Sequence, residues 1–375
     1  MTRTSFRRVA APGVAALALG LGLTACGAAN ETGATNDTSP ASSGQAALSG
    51  TVNGAGASSQ EAAMAAWQAG FQTANPGATV NYDPSGSGAG REQFIAGGVA
   101  FAGSDAYLDD EEGELSAATE RCLGEPPIEV PNYVSPIAVI YNVEGVDDLQ
   151  LSGETIAGIF TGEITRWNDP RIAADNPDAD LPDSAITAVH RADDSGTTDN
   201  FTAYLETAAP DVWTHGEVGE WPINHGEAAQ GTSGVVAAVR NGSNTIGYAD
   251  ASQAGDLGVA RVKVGDEYVD PSPEAAAKVL EVSPRVEGRA EVDMAIDLDR
   301  GTEASGAYPI VLTSYLIACQ TYANQDTADL VRGFLSFVVS DEGQQASAET
   351  AGSAPLSDAL QQEALSHIES IKAQS

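Results

Sequence analysis

Cysteine, histidine and basic residues are scarce in this sequence of 375 residues. Three Cys and four scattered His, with no Cys-x-x-Cys pair, exclude a disulfide-rich scaffold and a zinc module. Lys and Arg number 17 against 53 Asp and Glu, which gives a formal net charge of -36. Binding to nucleic acid or to anionic lipid depends on basic residues that meet phosphate groups. We therefore expect no nucleic-acid partner and no electrostatic docking on membranes.

Two common catalytic motifs are also missing. No Lys follows a Gly, so the sequence lacks the Gly-x-x-x-x-Gly-Lys loop of P-loop NTPases. No Ser lies in the Gly-x-Ser-x-Gly frame that is typical of many hydrolases. Aromatic residues make up 6% of the chain and hydrophobic residues 42%, so the core should consist mostly of Ala, Val, Leu and Ile. The sequence predicts neither a metal site nor a cofactor.

The first 25 residues are predicted to be an export signal. Three Arg among the first eight residues precede an apolar stretch, 9–24, that is too short and too interrupted by Gly and Pro to span a membrane. The stretch ends in Leu-Thr-Ala-Cys26-Gly, which resembles the bacterial lipobox, where the Cys is acylated and becomes the first residue after cleavage. We expect Cys26 to carry a lipid anchor at the extracytoplasmic face of the cell membrane. The alternative is a chance Cys beside an ordinary cleavage site.

Cleavage after residue 25 would remove three Arg and leave 14 basic and 53 acidic residues, a net charge of -39. Segment 26–47 is rich in Ala, Ser, Thr, Gly and Asn and has no apolar periodicity, which is typical of a flexible tether. The folded body should begin near Leu48.

After Cys26, two Cys remain in the chain, Cys122 and Cys319, and two such Cys outside the cytoplasm often form a disulfide. Two buried free thiols are the alternative.

The remaining sequence alternates between strand and helix patterns. Apolar, β-branched segments predict strands at 47–52, 78–82, 99–102, 128–130, 137–141, 186–189, 245–248 and 309–319. Amphipathic segments predict helices at 62–71, 91–95, 152–160, 170–174, 198–205, 232–240 and 330–339. Strands that each lead through a turn into a helix indicate an α/β fold with mostly parallel sheets flanked by helices.

Three of the strand-to-helix junctions share small and hydroxyl-bearing residues. They are 57–59 (Ala-Ser-Ser), 86–88 (Gly-Ser-Gly) and 195–197 (Ser-Gly-Thr). The first N–H groups of a helix have no partner within the helix, and the helix dipole favours negative charge there. Together such junctions predict an anion site built from neutral donors. Each junction alone is equally typical of ordinary N-capping.

Two charged residues follow strands in the same way. Arg191 offers a planar guanidinium suited to an oxyanion, and Asp193 is placed to hold it, although a surface ion pair would look alike in sequence. Asp105 ends the segment Ala-Gly-Ser-Asp. An ionised carboxylate only accepts hydrogen bonds, so Asp105 would select an oxyanion that carries a proton and reject one that does not. The alternative role of Asp105 is that of a helix N-cap.

Several motifs now point together to one family. In chain order they are Gly-Ala-Gly-Ala-Ser58, Asn81-Tyr82, Ala-Gly-Ser-Asp105, Ser152-Gly-Glu-Thr-Ile-Ala-Gly-Ile-Phe-Thr-Gly-Glu-Ile-Thr-Arg-Trp167, Arg191-Ala-Asp-Asp-Ser-Gly-Thr197 and Thr245-Ile-Gly-Tyr248. The chain resembles the PstS family, the phosphate-binding lipoproteins of the ABC phosphate importer. The resemblance covers residues 48–340, and the two segments that end at Trp167 and Thr197 are its most specific parts.

The resemblance implies a type II periplasmic-binding-protein fold, a clamshell of two α/β lobes joined by a hinge of crossing strands. Lobe 1 should be discontinuous, comprising 48–136 and 308–375, and lobe 2 should comprise 137–307. The chain should leave the first lobe near Pro136 and return near Tyr308. The ligand should bind between the lobes.

The resemblance also implies a set of contact residues. The family's first contact segment ends in Thr-Phe, where this chain has Ser58 and Ser59, so the hydroxyl is kept and the aromatic ring is lost. Asp105 matches the family's selective Asp, and Asp193 matches the Asp that supports its Arg. The implied phosphate contacts are Ser58, Ser59, Ser87, Asp105, Arg191, Ser195, Gly196 and Thr197.

The implied function is high-affinity binding of inorganic phosphate outside the cytoplasm and its delivery to the permease and ATPase subunits of an ABC importer. No catalytic residue is assigned, and a monomer is assumed. Binding of another oxyanion, or a role as a phosphate sensor, is the first alternative. The second is a secreted phosphatase with Ser195 or Ser87 as nucleophile. His190 precedes Arg191 on a strand and would face away from it, which counts against a catalytic base.

Overall fold

The computed structural model describes residues 48–110 and 113–375. The predicted signal peptide, Cys26 and the tether lie outside the described residues. The strands are β1 Ser49–Gly56, β2 Gly77–Asp83, β3 Phe101–Ser104, β4 Ile128–Asn142, β5 Gln150–Leu151, β6 Thr187–Arg191, β7 Glu227–Ala229, β8 Thr245–Asp250, β9 Gly258–Val259, β10 Arg261–Val264, β11 Glu267–Val269, β12 Val311–Ala318, β13 Thr321–Tyr322 and β14 Lys372–Ala373.

The helices are α1 Glu61–Ala74, α2 Ser87–Ile95, α3 Glu114–Arg121, α4 Gly153–Thr161, α5 Pro170–Asp175, α6 Gly196–Ala208, α7 Gly231–Asn241, α8 Pro273–Val282, α9 Gln325–Val339, α10 Asp341–Ala351 and α11 Asp358–Glu369, with a 3-10 turn at Ala251–Gln253. Seven of these helices correspond to those that the sequence predicts, whereas α3, α8, α10 and α11 were not predicted. No helix in the described ranges combines the length and apolar character needed to cross a membrane.

Two sequence predictions need correction. Helix α2 begins at Ser87 rather than at residue 91, because the Gly-rich segment before it already forms the first helical turn. The strands predicted at 128–130 and 137–141 are one strand, β4, that runs through Pro131 and Pro136. Pro131 pairs with Tyr315 next to a register shift, a place where a missing ladder donor is tolerated.

The main sheet has the order β2-β1-β3-β12-β4-β8-β6-β7, with β9 alongside β4. Strands β2, β1 and β3 run parallel at one end, and β8, β6 and β7 run parallel at the other. The long strand β4 joins them, since its residues 128–136 pair with β12 and its residues 137–142 pair with β8. This change of partner supports the lobe boundaries at 136/137 and 307/308, which stay a prediction.

Aromatic clusters hold the helices against each end of the sheet. At the first end, Phe334 of α9 lies 5.4 Å from both Phe71 of α1 and Phe101 of β3, measured between ring centroids. At the second end, Phe201 of α6 stacks on Tyr248 of β8 at 4.2 Å and meets Phe160 of α4 at 4.9 Å. Both clusters are buried, so α6, which begins at one of the predicted anion junctions, is anchored to its sheet.

Cys122 and Cys319 form a disulfide across 197 residues, with their Cα atoms 5.2 Å apart. The bond joins the end of α3 to the residue that follows β12. Both side chains are buried. The disulfide therefore ties the C-terminal portion of the chain to the first end of the sheet.

Candidate functional site

The structure brings the predicted contact residues together where strands β1, β3 and β6 end. Ser58 and Ser59 follow β1, Asp105 follows β3, and Arg191 is the last residue of β6. Ser87 opens α2, and Ser195 caps α6, whose first residues are Gly196 and Thr197. All eight are buried. The parallel strands of the two ends thus direct their carboxyl ends to one place.

Close approach of the backbone shapes the first end of this site. Gly56 ends β1 with φ of 142°, and a Cβ built on it would lie 1.9 Å from the carbonyl oxygen of Gly103. No other residue could take this position without moving β3. Gly56 therefore lets the turn with Ser58 and Ser59 lie directly beside the turn with Asp105.

Asp105 lies at the centre of the hydroxyl groups. The Ser59 hydroxyl is 2.7 and 2.8 Å from its two carboxylate oxygens, and the Thr197 hydroxyl donates to Oδ2 at 3.1 Å. The backbone N–H of Asp105 donates to Ser87 Oγ at 3.1 Å. Burial raises the pKa of Asp105 above its ordinary value, and hydrogen bonds from Ser314, Ser59 and Thr197 and the charge of Arg191 offset part of this increase. The hydroxyl donors thus favour the ionised carboxylate.

Arg191 is held by a buried ion pair. Its Nε donates to Asp193 Oδ1 at 2.8 Å, and its Nη2 contacts Asp193 Oδ2. Asp193 also accepts a hydrogen bond of 3.0 Å from the N–H of Gly231. The remaining guanidinium nitrogen, Nη1, lies 3.4 Å from the hydroxyl oxygens of Thr197 and Thr232. This pair is inside the site, so the alternative of an exposed surface ion pair is wrong.

Residues from the two ends of the sheet contact each other directly here. Ser58 Oγ lies 3.1 Å from Thr232 Oγ1 and accepts from the Thr232 N–H at 3.1 Å. Asn200 of α6 donates to the carbonyl oxygen of Asp105 at 2.8 Å. Gln253 donates to the carbonyl oxygen of Ser58 at 3.0 Å. The site therefore contains groups from both ends within hydrogen-bonding distance.

Sequence reasoning missed two hydroxyl residues. Thr232 lies at the start of α7, where Gly231-Thr232-Ser233 follows a strand, so the pattern of the other junctions could have identified it. Ser314 lies inside the apolar strand β12 and donates to Asp105 Oδ1. Nothing in the local sequence distinguishes Ser314 from the rest of the strand.

Three helix N-termini, those of α2, α6 and α7, bring positive partial charge to this buried region, although the first N–H groups of α7 already donate to Asp193 and Ser58. Arg191 adds one full positive charge, and Asp105 adds one acceptor. This combination suits a tetrahedral oxyanion that still carries a proton. No group of three or more His, Cys, Asp or Glu that could hold a metal ion occurs within residues 48–110 and 113–375.

His190 and Ser195 do not form a catalytic pair. His190 Nδ1 lies 2.8 Å from the carbonyl oxygen of Arg191, and its ring stacks on Trp221 with 4.9 Å between centroids. Ser195 Oγ accepts from the N–H of Thr198 at 3.2 Å, the ordinary bond of a helix N-cap. His190 thus faces the second aromatic cluster, as strand alternation predicts.

Comparison with known proteins finds a matching family model and several relatives by sequence. Residues 41–342 match the model of the PBP superfamily domain. Phosphate-binding protein PstS 2 of Mycobacterium tuberculosis is 36% identical over 364 residues, which cover 93% of this chain and 95% of that protein. Phosphate-binding protein PstS of Methanocaldococcus jannaschii is 33% identical over 304 residues, or 74% of this chain and 75% of that protein.

A solved structure supports the architecture. The phosphate-binding protein from Stenotrophomonas maltophilia superposes with a TM-score of 0.67 at 22% identity, covering 84% of this chain and 93% of that one. A likeness at this identity concerns the fold, which is the two-lobed α/β clamshell with its hinge of crossing strands. The sequence matches and the shared fold lead to one conclusion: this chain belongs to the PstS family of substrate-binding proteins within the PBP superfamily.

Proposed function

We propose that this protein binds inorganic phosphate outside the cytoplasm and delivers it to an ABC-type import complex. The observation that carries the proposal is the buried cluster of hydroxyls, helix N-termini, one guanidinium and one carboxylate at the meeting point of the two ends of the sheet. Its relatives are named phosphate-binding proteins, and they are binding proteins rather than enzymes. The protein therefore needs no catalytic residue for this role.

The contact set proposed for phosphate is the one expected from sequence. It comprises Ser58, Ser59, Ser87, Asp105, Arg191, Ser195, Gly196 and Thr197, and we add Thr232 from its contacts with Arg191 and Ser58. Hydroxyls and the first N–H groups of α6 would donate to the phosphate oxygens. A fully hydrogen-bonded anion can remain buried without the cost of unpaired charge.

The net charge of the protein opposes anion binding at long range. At physiological ionic strength the screening length is about 8 Å, so distant carboxylates contribute little inside the site. The groups that decide binding are then the donors in direct contact. We infer that the excess of acidic residues serves solubility, and that the neutral donors and Arg191 supply the attraction.

Asp105 would set the choice between phosphate and sulfate. Phosphate near neutral pH carries at least one proton, and its O–H can donate a hydrogen bond to the carboxylate of Asp105. Sulfate carries no proton and would place its lone pairs against those of Asp105. Titration calorimetry with both anions tests this directly. We expect tight phosphate binding with little sulfate binding, and we expect Asp105→Asn to reduce the difference between them.

Arg191→Ala provides the complementary test because Arg191 would contact any oxyanion. We expect this substitution to weaken both phosphate and sulfate. Wild-type phosphate affinity in Arg191→Ala would show that the anion binds elsewhere. Equal wild-type affinities for the two anions would instead favour the alternative of a general oxyanion binder.

Delivery requires a change between open and closed lobes. With the lobes apart, Ser58, Ser59, Ser87 and Asp105 belong to one half of the site and Arg191 and the start of α6 to the other. Phosphate that binds both halves stabilises the closed form by its additional contacts. The closed complex then docks on the permease and ATPase subunits, where it opens and releases the anion.

The proposed lipid anchor keeps the protein beside that membrane complex. Cys26 would be acylated after removal of residues 1–25, and each buried CH2 of an acyl chain contributes roughly 0.8 kcal/mol to membrane binding. Metabolic labelling with palmitate in the native host would detect the modification. We expect label on the wild-type protein and none on Cys26→Ser, and release of the wild-type protein without label would refute the anchor.

A further inference from the structure

Ser314 contacts the proposed phosphate site from an unexpected direction. It lies on strand β12, which crosses the middle of the sheet, and not at any strand-to-helix junction. Its side chain is completely buried, and its hydroxyl donates to Asp105 Oδ1. Among the hydrogen bonds that lower the pKa of Asp105, the one from Ser314 makes the largest contribution.

An irregularity in the sheet occurs at this residue. Ser314 pairs with Tyr133 of β4, but the next residue, Tyr315, pairs with Pro131, so Asn132 is left as an extra residue. Such a bulge bends the strand and redirects neighbouring side chains, and bulges are common beside functional sites. The bulged residue of β4, Asn132, thus lies opposite the step between Ser314 and Tyr315 of β12.

The hydrogen bonds of Asp105 can be counted. An ionised carboxylate offers about four lone-pair sites. Ser59, Thr197 and Ser314 each have one hydroxyl hydrogen, and all three hydroxyls lie within hydrogen-bonding distance of the carboxylate oxygens. Thr197 also receives the N–H of Arg191, which leaves its own hydrogen for Asp105. Three sites are then filled, and one remains for a proton of the ligand.

We propose that Ser314 is a positioning residue that keeps Asp105 ionised with a single free acceptor site, and that it thereby determines selectivity for a protonated oxyanion. This inference rests on the proposed phosphate function. Arg191 of β6 has the opposite charge and counters the effect of burial on the pKa of Asp105, and burial and the charge of Asp105 both raise the pKa of Tyr82 on β2. Neither is altered when Ser314 changes.

Loss of the Ser314 hydroxyl has a defined consequence. Burial of Asp105 would persist with one donor fewer, so its pKa would rise further and the carboxyl would hold a proton at a higher pH. A protonated carboxyl can donate a hydrogen bond. It would then accept an oxyanion without a proton, and discrimination against sulfate would fall as the solution becomes mildly acidic.

The test compares the ratio of sulfate to phosphate Kd in Ser314→Ala and in the wild type, by calorimetry between about pH 8 and about pH 5. We expect the ratio in Ser314→Ala to lie about tenfold below the wild-type ratio towards about pH 5, as the loss of one hydrogen bond to a charged group predicts. Ser314→Thr keeps a hydroxyl and should restore the wild-type ratio.

Thr313→Val is the matched control on the same strand. Thr313 is buried, and its hydroxyl has no hydrogen-bond partner among the described residues, so its removal should leave the ratio unchanged. If Ser314→Ala does not fold, Ser314→Cys, with a weaker donor of similar size, takes its place. A ratio that follows the wild type at every pH would overturn the inference, whereas a wild type that binds no phosphate would refute the proposed function itself.

Discussion

Gly196 packs tightly against the facing half of the site, so its replacement by Ala tests whether full closure is required for tight binding. A Cβ built on Gly196 would lie 2.7 Å from Asp105 Cβ and 2.7 Å from Ser87 Oγ. Non-bonded carbon atoms are normally about 3.5–4.0 Å apart. The start of α6 and the facing turns would therefore have to separate by on the order of 1 Å.

The cost of this separation falls mainly on the closed form. Inserting a methyl group into a well-packed contact typically costs about 1–3 kcal/mol. If only closed protein binds phosphate tightly, the same free energy appears in the Kd, as a weakening of about 5-fold to 150-fold. Calorimetric titration with phosphate measures this change, and thermal unfolding without phosphate shows whether each lobe remains folded.

Gly234→Ala is the matched control. Gly234 lies within α7, and a Cβ there would meet only atoms of Ala229 at ordinary distances of 3.6 and 3.7 Å. We expect this variant to bind phosphate as the wild type does. Wild-type affinity in Gly196→Ala would refute the argument, because it would mean that the contact seen between α6 and Asp105 is not needed in the bound form.

Three further predictions concern stability and the support of Arg191. Replacing both Cys122 and Cys319 by Ala removes a cross-link across 197 residues, and the chain-entropy model gives a loss of stability of about 5 kcal/mol. Denaturant unfolding should show a clearly lower midpoint, and an unchanged midpoint would contradict this prediction. Burial and the neighbouring Glu217 raise the pKa of Asp199 to about 8, so the folded protein keeps a proton on Asp199 that the unfolded chain loses near about pH 4. The stability that this proton provides is present below about pH 4 and is lost as the pH rises towards about 8. Asp199→Asn should flatten that decline in Tm, and a Tm profile parallel to the wild type would count against it. Asp193→Ala leaves the buried guanidinium unpaired, which should cost on the order of 3 kcal/mol of stability and weaken phosphate binding; unchanged unfolding and Kd would exclude the supporting role.

Much of the fold and of the site was predictable because the relevant features are local. The Gly, Ser and Thr residues at 57–59, 86–88 and 195–197 have the chemistry of strand-to-helix junctions, and the apolar periods on either side predict the strands and helices. Arg191 and Asp193 are two residues apart, so their pairing follows from the strand end on which both lie. The segment that ends at Thr197 was also specific enough to indicate the family.

Only the tertiary structure decided the contacts between segments that lie far apart in the chain. Ser314 is separated from Asp105 by 209 residues and Thr232 from Ser58 by 174, and no local pattern relates either pair. The continuity of β4 through two prolines likewise depended on β12 and β8 as pairing partners. The sequence alone determined which donors the chain carries, because donor chemistry belongs to single residues. Their number around one buried carboxylate was decided by folding, because burial and strand register arise only when distant segments pack together.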